Sequence, residues 1–193
     1  MVLYVARHGE TTWNVEKRLM GTLPGELSAH GLEQARQLGL AAQNLPIQIN
    51  FVSDLHRTVQ TANEVTKLNP ELKFTPVEAL RERHAGELEG RLFSEFNWTA
   101  FWEQPEDETA YNSESLRAFS IRVAQFIVDI ETHEHETVLL ITHEDTMNRL
   151  HFLADPANFS PQKYPNGEII TFDYSAMNTN AGLLLDGQIQ KLK

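Results

Sequence analysis

Two short apolar runs constrain this chain more than any other feature. Val2-Leu3-Tyr4-Val5-Ala6 and Val138-Leu139-Leu140-Ile141-Thr142 are too short for helices and lack polar alternation. Each therefore reads as a strand buried on both faces, the pattern of a parallel sheet covered by helices. Both runs stop abruptly at polar chemistry. The first meets Arg7-His8-Gly9-Glu10 and the second meets His143-Glu144-Asp145.

Helical periodicity alternates with these runs. Ser28 offers an N-cap for a helix over Ala29 to Gln43, and Asp54 offers one for a helix over roughly Leu55 to Lys67. Ser115 to Glu131 is the clearest helix, because Leu116, Phe119, Val123, Phe126, Ile127 and Ile130 share one face. Helical propensity returns near Leu92 to Trp102. Further strands are expected at Ile47 to Ser53, Phe74 to Val77, 168–174 and 181–192, the last forming a hairpin around Asp186-Gly187. Residues 14–28, Leu80 to Gly90 and Gln104 to Ser113 read as loops. The expected fold class is α/β: a three-layer α/β/α sandwich around a mainly parallel mixed sheet of about six strands. A length of 193 residues suits one domain spanning 1–193.

Charge narrows the function classes. Lys and Arg number 16 against 27 Asp and Glu, a formal net charge of −11. Such a surface disfavours nucleic acid and anionic membranes as partners. The absence of cysteine excludes thiol nucleophiles, disulfides and Cys-ligated metals. The first residues carry no basic leader, and no run reaches the length of a membrane span, so a cytoplasmic protein is expected.

Ligands of open α/β sheets bind at the carboxyl ends of strands. That rule selects His8 and His143, which follow two strands far apart in sequence. Arg7 adjoins the first histidine, and Arg57 lies early in the helix after the second strand. Guanidinium forks match phosphate oxygens, so two arginines and two histidines in an acidic chain suggest a phosphoryl site. Taken alone, Arg57 also fits a surface salt bridge. Other motifs fail. No glycine-rich nucleotide fingerprint occurs, and Met147 stands where a zincin helix after His143-Glu144 needs its second histidine. His133-Glu134-His135-Glu136 reads as a solvated turn. Trp98, Phe101 and Trp102 suit either a substrate pocket or one packed helix face.

Arg7-His8-Gly9-Glu10-Thr11 followed by Asn14 resembles the signature of the histidine phosphatase superfamily, the phosphoglycerate mutase-like proteins. Further blocks resemble it in order: Leu27 to Ala35, Ser53 to Ala62, Leu80-Arg81-Glu82 with Gly86 to Gly90, Glu114-Ser115-Leu116, and Val138 to His143. The resemblance implies His8 as a nucleophile that forms a phosphohistidine. It implies Arg7, Asn14, Arg57 and His143 as phosphate ligands, and Glu82 as the proton donor to the leaving oxygen. No metal or other cofactor is implied, because cationic side chains take the metal's place.

The usual glycines after the second histidine are replaced by Glu144 and Asp145. Their carboxylates could face and repel a phosphate, point away, or meet a cationic part of the substrate. Residues 93–116 hold no Lys or Arg, and 103–114 are acidic, which disfavours a phosphoglycerate. The expected activity is a metal-independent phosphatase for a small phosphate ester, with specificity set by a lid around 90–114. The alternatives are a mutase-type phosphotransferase and a phosphate-binding protein without turnover.

Overall fold

In the computed structural model, residues 2–97, 101, 105–130 and 137–192 are described. Five strands form one sheet: β1 (Val2–Arg7), β2 (Ile49–Ser53), β3 (Thr75–Val77), β4 (Thr137–Thr142) and β5 (Ile169–Asp173), in the order β3-β2-β4-β1-β5. All pairings are parallel except β5 against β1. The helices are α1 (Thr12–Glu16), α2 (Ala29–Ala42), α3 (His56–Leu68), α4 (Leu116–Asp129), α5 (Glu144–Ala154) and α6 (Tyr174–Leu185).

The unbroken apolar runs are explained by two cores. Leu3, Val5, Val138 and Leu140 pack with α4, α5 and α6, including Phe119, Val123, Ile127, Met147, Leu150 and Met177. Ala6, Leu139 and Ile141 pack on the opposite face with Leu38 and Ala42 of α2 and Ala62 and Val65 of α3. Successive residues of β4 thus point into different cores, so neither face tolerates a polar residue.

Capping held in two places. Ser28 Oγ accepts from the Gly31 N–H at 3.0 Å, and Ser115 Oγ accepts from the Ala118 N–H at 3.1 Å. Asp54 does not cap α3; Leu55 occupies the cap position, and Asp54 pairs with Arg81 Nη2 at 2.6 Å. Residues 14–16 are not loop but the end of α1, which begins with a capping box between Thr11 and Asn14. Within the expected Leu92 to Trp102 helix, the described residues form a 3₁₀ turn at Phe93–Glu95, and Phe101 is helical. Trp98, Trp102 and the His133–Glu136 turn lie outside the described residues.

The expected C-terminal hairpin is a helix instead, which leaves five strands among the described residues rather than about six. Met177, Ala181 and Leu184 are buried at spacings of four and three along α6, facing α4 and α5. Gly187 adopts φ +73°, and the N–H groups of Gly187 and Gln188 donate back to the Leu184 and Leu183 carbonyls at 3.0 and 2.9 Å. The Asp186-Gly187 pair therefore stops a helix rather than turning a hairpin. Both uses exploit the same left-handed freedom of glycine.

Candidate active site

β1 and β4 are neighbours in register, with Arg7 opposite Thr142. The next residue of each strand is a histidine, so the ladder itself brings His8 and His143 together. Their ring centres are 5.2 Å apart, with planes inclined at 62°. His8 is held by its backbone N–H on the Thr142 carbonyl at 3.0 Å and by Asn166 Nδ2 on its carbonyl at 2.9 Å.

The His8 ring has a defined tautomer. Nδ1 lies 2.7 Å from the Gly9 carbonyl, which only accepts, so the proton sits on Nδ1. Nε2 carries the lone pair and accepts from Arg57 Nε at 3.1 Å. Burial, then the charges of Arg57 and Arg7, push the imidazole well below its ordinary pKa, so it is neutral near pH 7.

Arg57 sits in the first turn of α3 and is buried, not salt-bridged on a surface. Nη2 donates to the Gly21 carbonyl at 2.7 Å, and Nη1 donates to the Leu23 carbonyl at 3.2 Å. It thereby ties the 21–23 loop to His8. Desolvation lowers its pKa to about 10, which leaves it charged at neutral pH.

His143 has no exposed surface. Its Nε2 lies 2.8 Å from Ser53 Oγ at the end of β2, and its Nδ1 has no hydrogen-bond partner among the described residues. Burial drives its pKa well down, and nearby Arg57 and His8 add to that. A buried ring nitrogen without a partner is the kind of exception that marks a ligand position.

Glu82 lies beyond the 3₁₀ turn Glu78–Leu80. Arg122 of α4 anchors that segment by donating to the Ala79, Arg81 and Glu82 carbonyls at 2.8, 2.9 and 3.0 Å. The Glu82 carboxylate accepts from the Arg83 N–H at 3.0 Å and from the Asp145 N–H at 3.3 Å. Loss of solvent raises its pKa, against the opposing pull of Arg57.

Arg7, His8, Asn14, Arg57 and Glu82 line one cleft of about 790 Å³. His143 packs edge-on against the His8 ring at the same strand ends. Asn14 spends Oδ1 on the Thr11 N–H at 3.0 Å, while its Nδ2 makes no hydrogen bond among the described residues. Among the described residues, no three His, Asp or Glu side chains converge as a metal site, and no helix is long and apolar enough to cross a membrane.

Residues 3–183 match the family model described as histidine phosphatase superfamily (branch 1). The chain belongs to the histidine phosphatase superfamily. It is similar to a probable phosphoglycerate mutase, GpmB, of Enterobacter sp. strain 638, at 34% identity over 73% of this chain and 68% of that one. It is also similar to the adenosylcobalamin/alpha-ribazole phosphatase of Escherichia coli K12, at 28% identity over 78% and 77% of the two chains. Among solved structures, Bacillus stearothermophilus YhfR superposes with TM-score 0.80 at 26% identity, over 88% of this chain and 89% of that one. The superfamily thus holds relatives named as phosphatases and relatives named as mutases.

Several features of this superfamily member were not visible in its sequence. Glu144 turns onto Arg7, with Oε2 2.6 Å from Nη1, while the same Nη1 donates to the Tyr164 carbonyl at 2.5 Å. Asp145 enters the cleft next to Glu82. Three carboxylates of the acidic segment are paired. Glu106 and Asp107 pair with Arg117 at 3.2 and 2.6 Å, and Glu114 pairs with Arg122 at 2.7 Å. Arg18, Arg83, Arg149 and Lys163 also line the cleft. Among the described residues of 103–114, Glu106, Asp107 and Glu114 are thus paired with arginines of α4.

Proposed function

We propose that this protein is a metal-independent phosphatase for small phosphate monoesters, working through a phosphohistidine on His8. The observation that carries the proposal is the His8 tautomer: a neutral imidazole on the cleft wall with its lone pair on Nε2, to which Arg57 Nε donates until a phosphoryl group takes that place. In the first step Nε2 attacks phosphorus, the P–O ester bond breaks, and the Glu82 carboxyl gives its proton to the departing alcohol oxygen. In the second step Glu82 takes a proton from water, the resulting hydroxide oxygen bonds to phosphorus, and the P–N bond breaks to free inorganic phosphate and neutral His8. Arg7, Asn14 Nδ2, Arg57 and His143 Nδ1 stabilise charge that spreads over the phosphoryl oxygens. The raised pKa of Glu82 suits a carboxyl that must hold a proton near neutrality. We read residues 1–193 as one such catalytic domain, with specificity set by the segment around 90–114.

A mutase reading keeps one supporting observation. Arg83, Arg149 and Lys163 on the cleft wall could hold the second anion of a phosphoglycerate. The phosphoryl group would then pass from His8 to a substrate hydroxyl instead of water.

The deciding experiment is phenyl phosphate hydrolysis with excess chelator, with alkaline trapping of ³²P on the protein. Turnover with label on His8, lost in His8→Ala, is expected. Glu82→Gln is expected to lower kcat on alkyl phosphates by about 10²–10⁴, the usual range for a lost general acid. Turnover that survives His8→Ala refutes the mechanism. Isomerisation of a phosphoglycerate that depends on a bisphosphate primer supports the mutase.

A further inference from the structure

The His8 tautomer depends on a peptide group that the proposed chemistry never touches. His8 Nδ1 donates to the Gly9 carbonyl at 2.7 Å. That carbonyl belongs to the peptide between Gly9 and Glu10, whose other polar group is the Glu10 N–H. The Glu10 N–H donates to Gln34 Oε1 at 2.8 Å. A trans peptide is planar, with its C=O and N–H pointing in opposite directions. Fixing the N–H therefore fixes where the carbonyl points.

The start of α2 is seated to make this contact. Gly31 in its first turn presses on Glu10: a Cβ there would clash with the Glu10 carbonyl oxygen and lie 2.8 Å from the Glu10 nitrogen. The Glu10 carbonyl accepts from the Ser28 N–H at 2.8 Å, and the Glu10 carboxylate accepts from Ser28 Oγ at 2.7 Å. Gln34 follows Gly31 by three residues, which puts it one turn along the same helix face. Its amide is oriented in turn. A backbone N–H only donates, so Oε1 faces Glu10, and Nε2 faces His30 Nε2, 3.2 Å away. Gln34 does not line the catalytic cleft; with Asn166 and Gly167 it lines a separate surface groove.

The opposite peptide orientation shows what this contact decides. Turned over, the peptide would offer its N–H to His8 Nδ1. Nδ1 would then accept, the ring proton would sit on Nε2, and the attacking atom would have no lone pair. The hydrogen bond made by one ring nitrogen sets which of the two carries the proton. Gln34 Oε1 only accepts, so it keeps the N–H turned away from the ring and the carbonyl turned toward it.

Resting on the reading of His8 as nucleophile, we infer that Gln34 is a positioning residue that sets the His8 tautomer through the peptide between Gly9 and Glu10. It acts at one remove and touches neither the ring nor the phosphoryl group. The bond it accepts also polarises that peptide, which strengthens the carbonyl as an acceptor for Nδ1–H.

The test reads the ring directly, by long-range ¹H–¹⁵N correlation on histidine-labelled protein, with His8 assigned from the signals lost in His8→Ala. Wild type is expected to carry the proton on Nδ1. Gln34→Met removes the acceptor but keeps a good helix former. It is expected to move the His8 nitrogens toward the Nε2–H form. It is also expected to lower kcat/KM for phenyl phosphate roughly three- to tenfold, the ratio to which one lost hydrogen bond of ordinary net strength converts. Gln34→Ala carries the same expectations should Gln34→Met not fold. Gln34→Glu keeps an acceptor oxygen and is expected to retain the wild-type ring and a kcat/KM within about twofold of wild type. Asn166→Ala frees the His8 carbonyl, which Asn166 Nδ2 holds at 2.9 Å, but leaves the next peptide alone. It is expected to keep the wild-type ring signals.

Unchanged His8 signals in Gln34→Met, or an unchanged kcat/KM, overturn this inference and leave the hydrolase reading intact. A Gln34→Glu that behaves like Gln34→Met overturns it too, as does an Asn166→Ala whose ring shifts as far. A ring that responds as expected in a chain that turns over no phenyl phosphate sinks the hydrolase reading and keeps the tautomer assignment.

Discussion

Removal of the Glu144 charge tests the electrostatics of the phosphoryl end most directly. Glu144 Oε2 lies 2.6 Å from Arg7 Nη1, and the two side chains are 28% and 15% exposed. Charge centres about 4 Å apart interact by about 1 kcal/mol in bulk water and about 4 kcal/mol at an effective dielectric near 20. Partial exposure places this pair between those limits. A phosphoryl group binding Arg7 must displace the carboxylate or sit beside it, and both cost free energy that Glu144→Gln removes. A gain of about 1–2 kcal/mol corresponds to roughly 5- to 30-fold tighter phosphate. The assay is the competitive inhibition constant of inorganic phosphate against phenyl phosphate hydrolysis, at low and high salt. The tightening should shrink as salt rises, because this pair is not fully enclosed. The same substitution removes a favourable negative charge from the first turn of α5, at a cost of about 0.3–1 kcal/mol in stability. Tighter phosphate should thus accompany a slightly lower Tm, which separates the effect from general stabilisation. An inhibition constant within about twofold of wild type, or a weaker one, refutes the claim that Glu144 opposes phosphate at Arg7.

Other outcomes follow from the same geometry. Burial raises the carboxyl pKa values of Asp145 and Glu82. Below the ordinary carboxylate range both folded and unfolded chains hold those protons. Above it the unfolded chain ionises first, so the folded state loses stability until the buried groups ionise too. Asp145→Asn should therefore melt higher than wild type at about pH 8 and equally at about pH 4, as read by calorimetry; a constant difference across pH contradicts the burial argument. Ser53→Ala removes the 2.8 Å partner of His143 Nε2. It should cost about 1–3 kcal/mol in urea unfolding and lower kcat/KM, whereas Ser53→Thr should recover much of both. Gly9→Ala would place a Cβ 2.3 Å from the Gly31 carbonyl oxygen, where β1 meets the start of α2. A loss of about 3 kcal/mol or more is expected in the same unfolding assay, since the clash is with backbone.

The central strands were legible because burial on both faces removes polar residues from the middle of β1 and β4, and a run without alternation has few other readings. α4 was legible because its partners lie on one side only, which writes a stripe into the sequence. α6 was misread because Asp-Gly signals left-handed backbone without saying which element uses it. The site divides in a similar way. Strand ends located His8 and His143, but nothing local marks Arg83 or Arg149 as buried, because the Glu114 and Leu192 carbonyls and the Phe101 and Phe159 rings that hold them are placed only by the fold. The fate of Glu144 was equally hidden. Its side chain answers to Arg7, whose neighbourhood exists only once β1 and β4 have paired.

That pairing has a consequence for how such enzymes diversify. The spacing of the two imidazoles follows from strand register, which the whole interior enforces on both sides. Other parts of the cleft wall come from the turn at Arg83, from the start of α5, and from residues 159–163, none of which belongs to the ladder. Loop exchange can thus redesign what is bound while the reaction centre stays still, and a graft that reprograms selectivity need not relearn the chemistry.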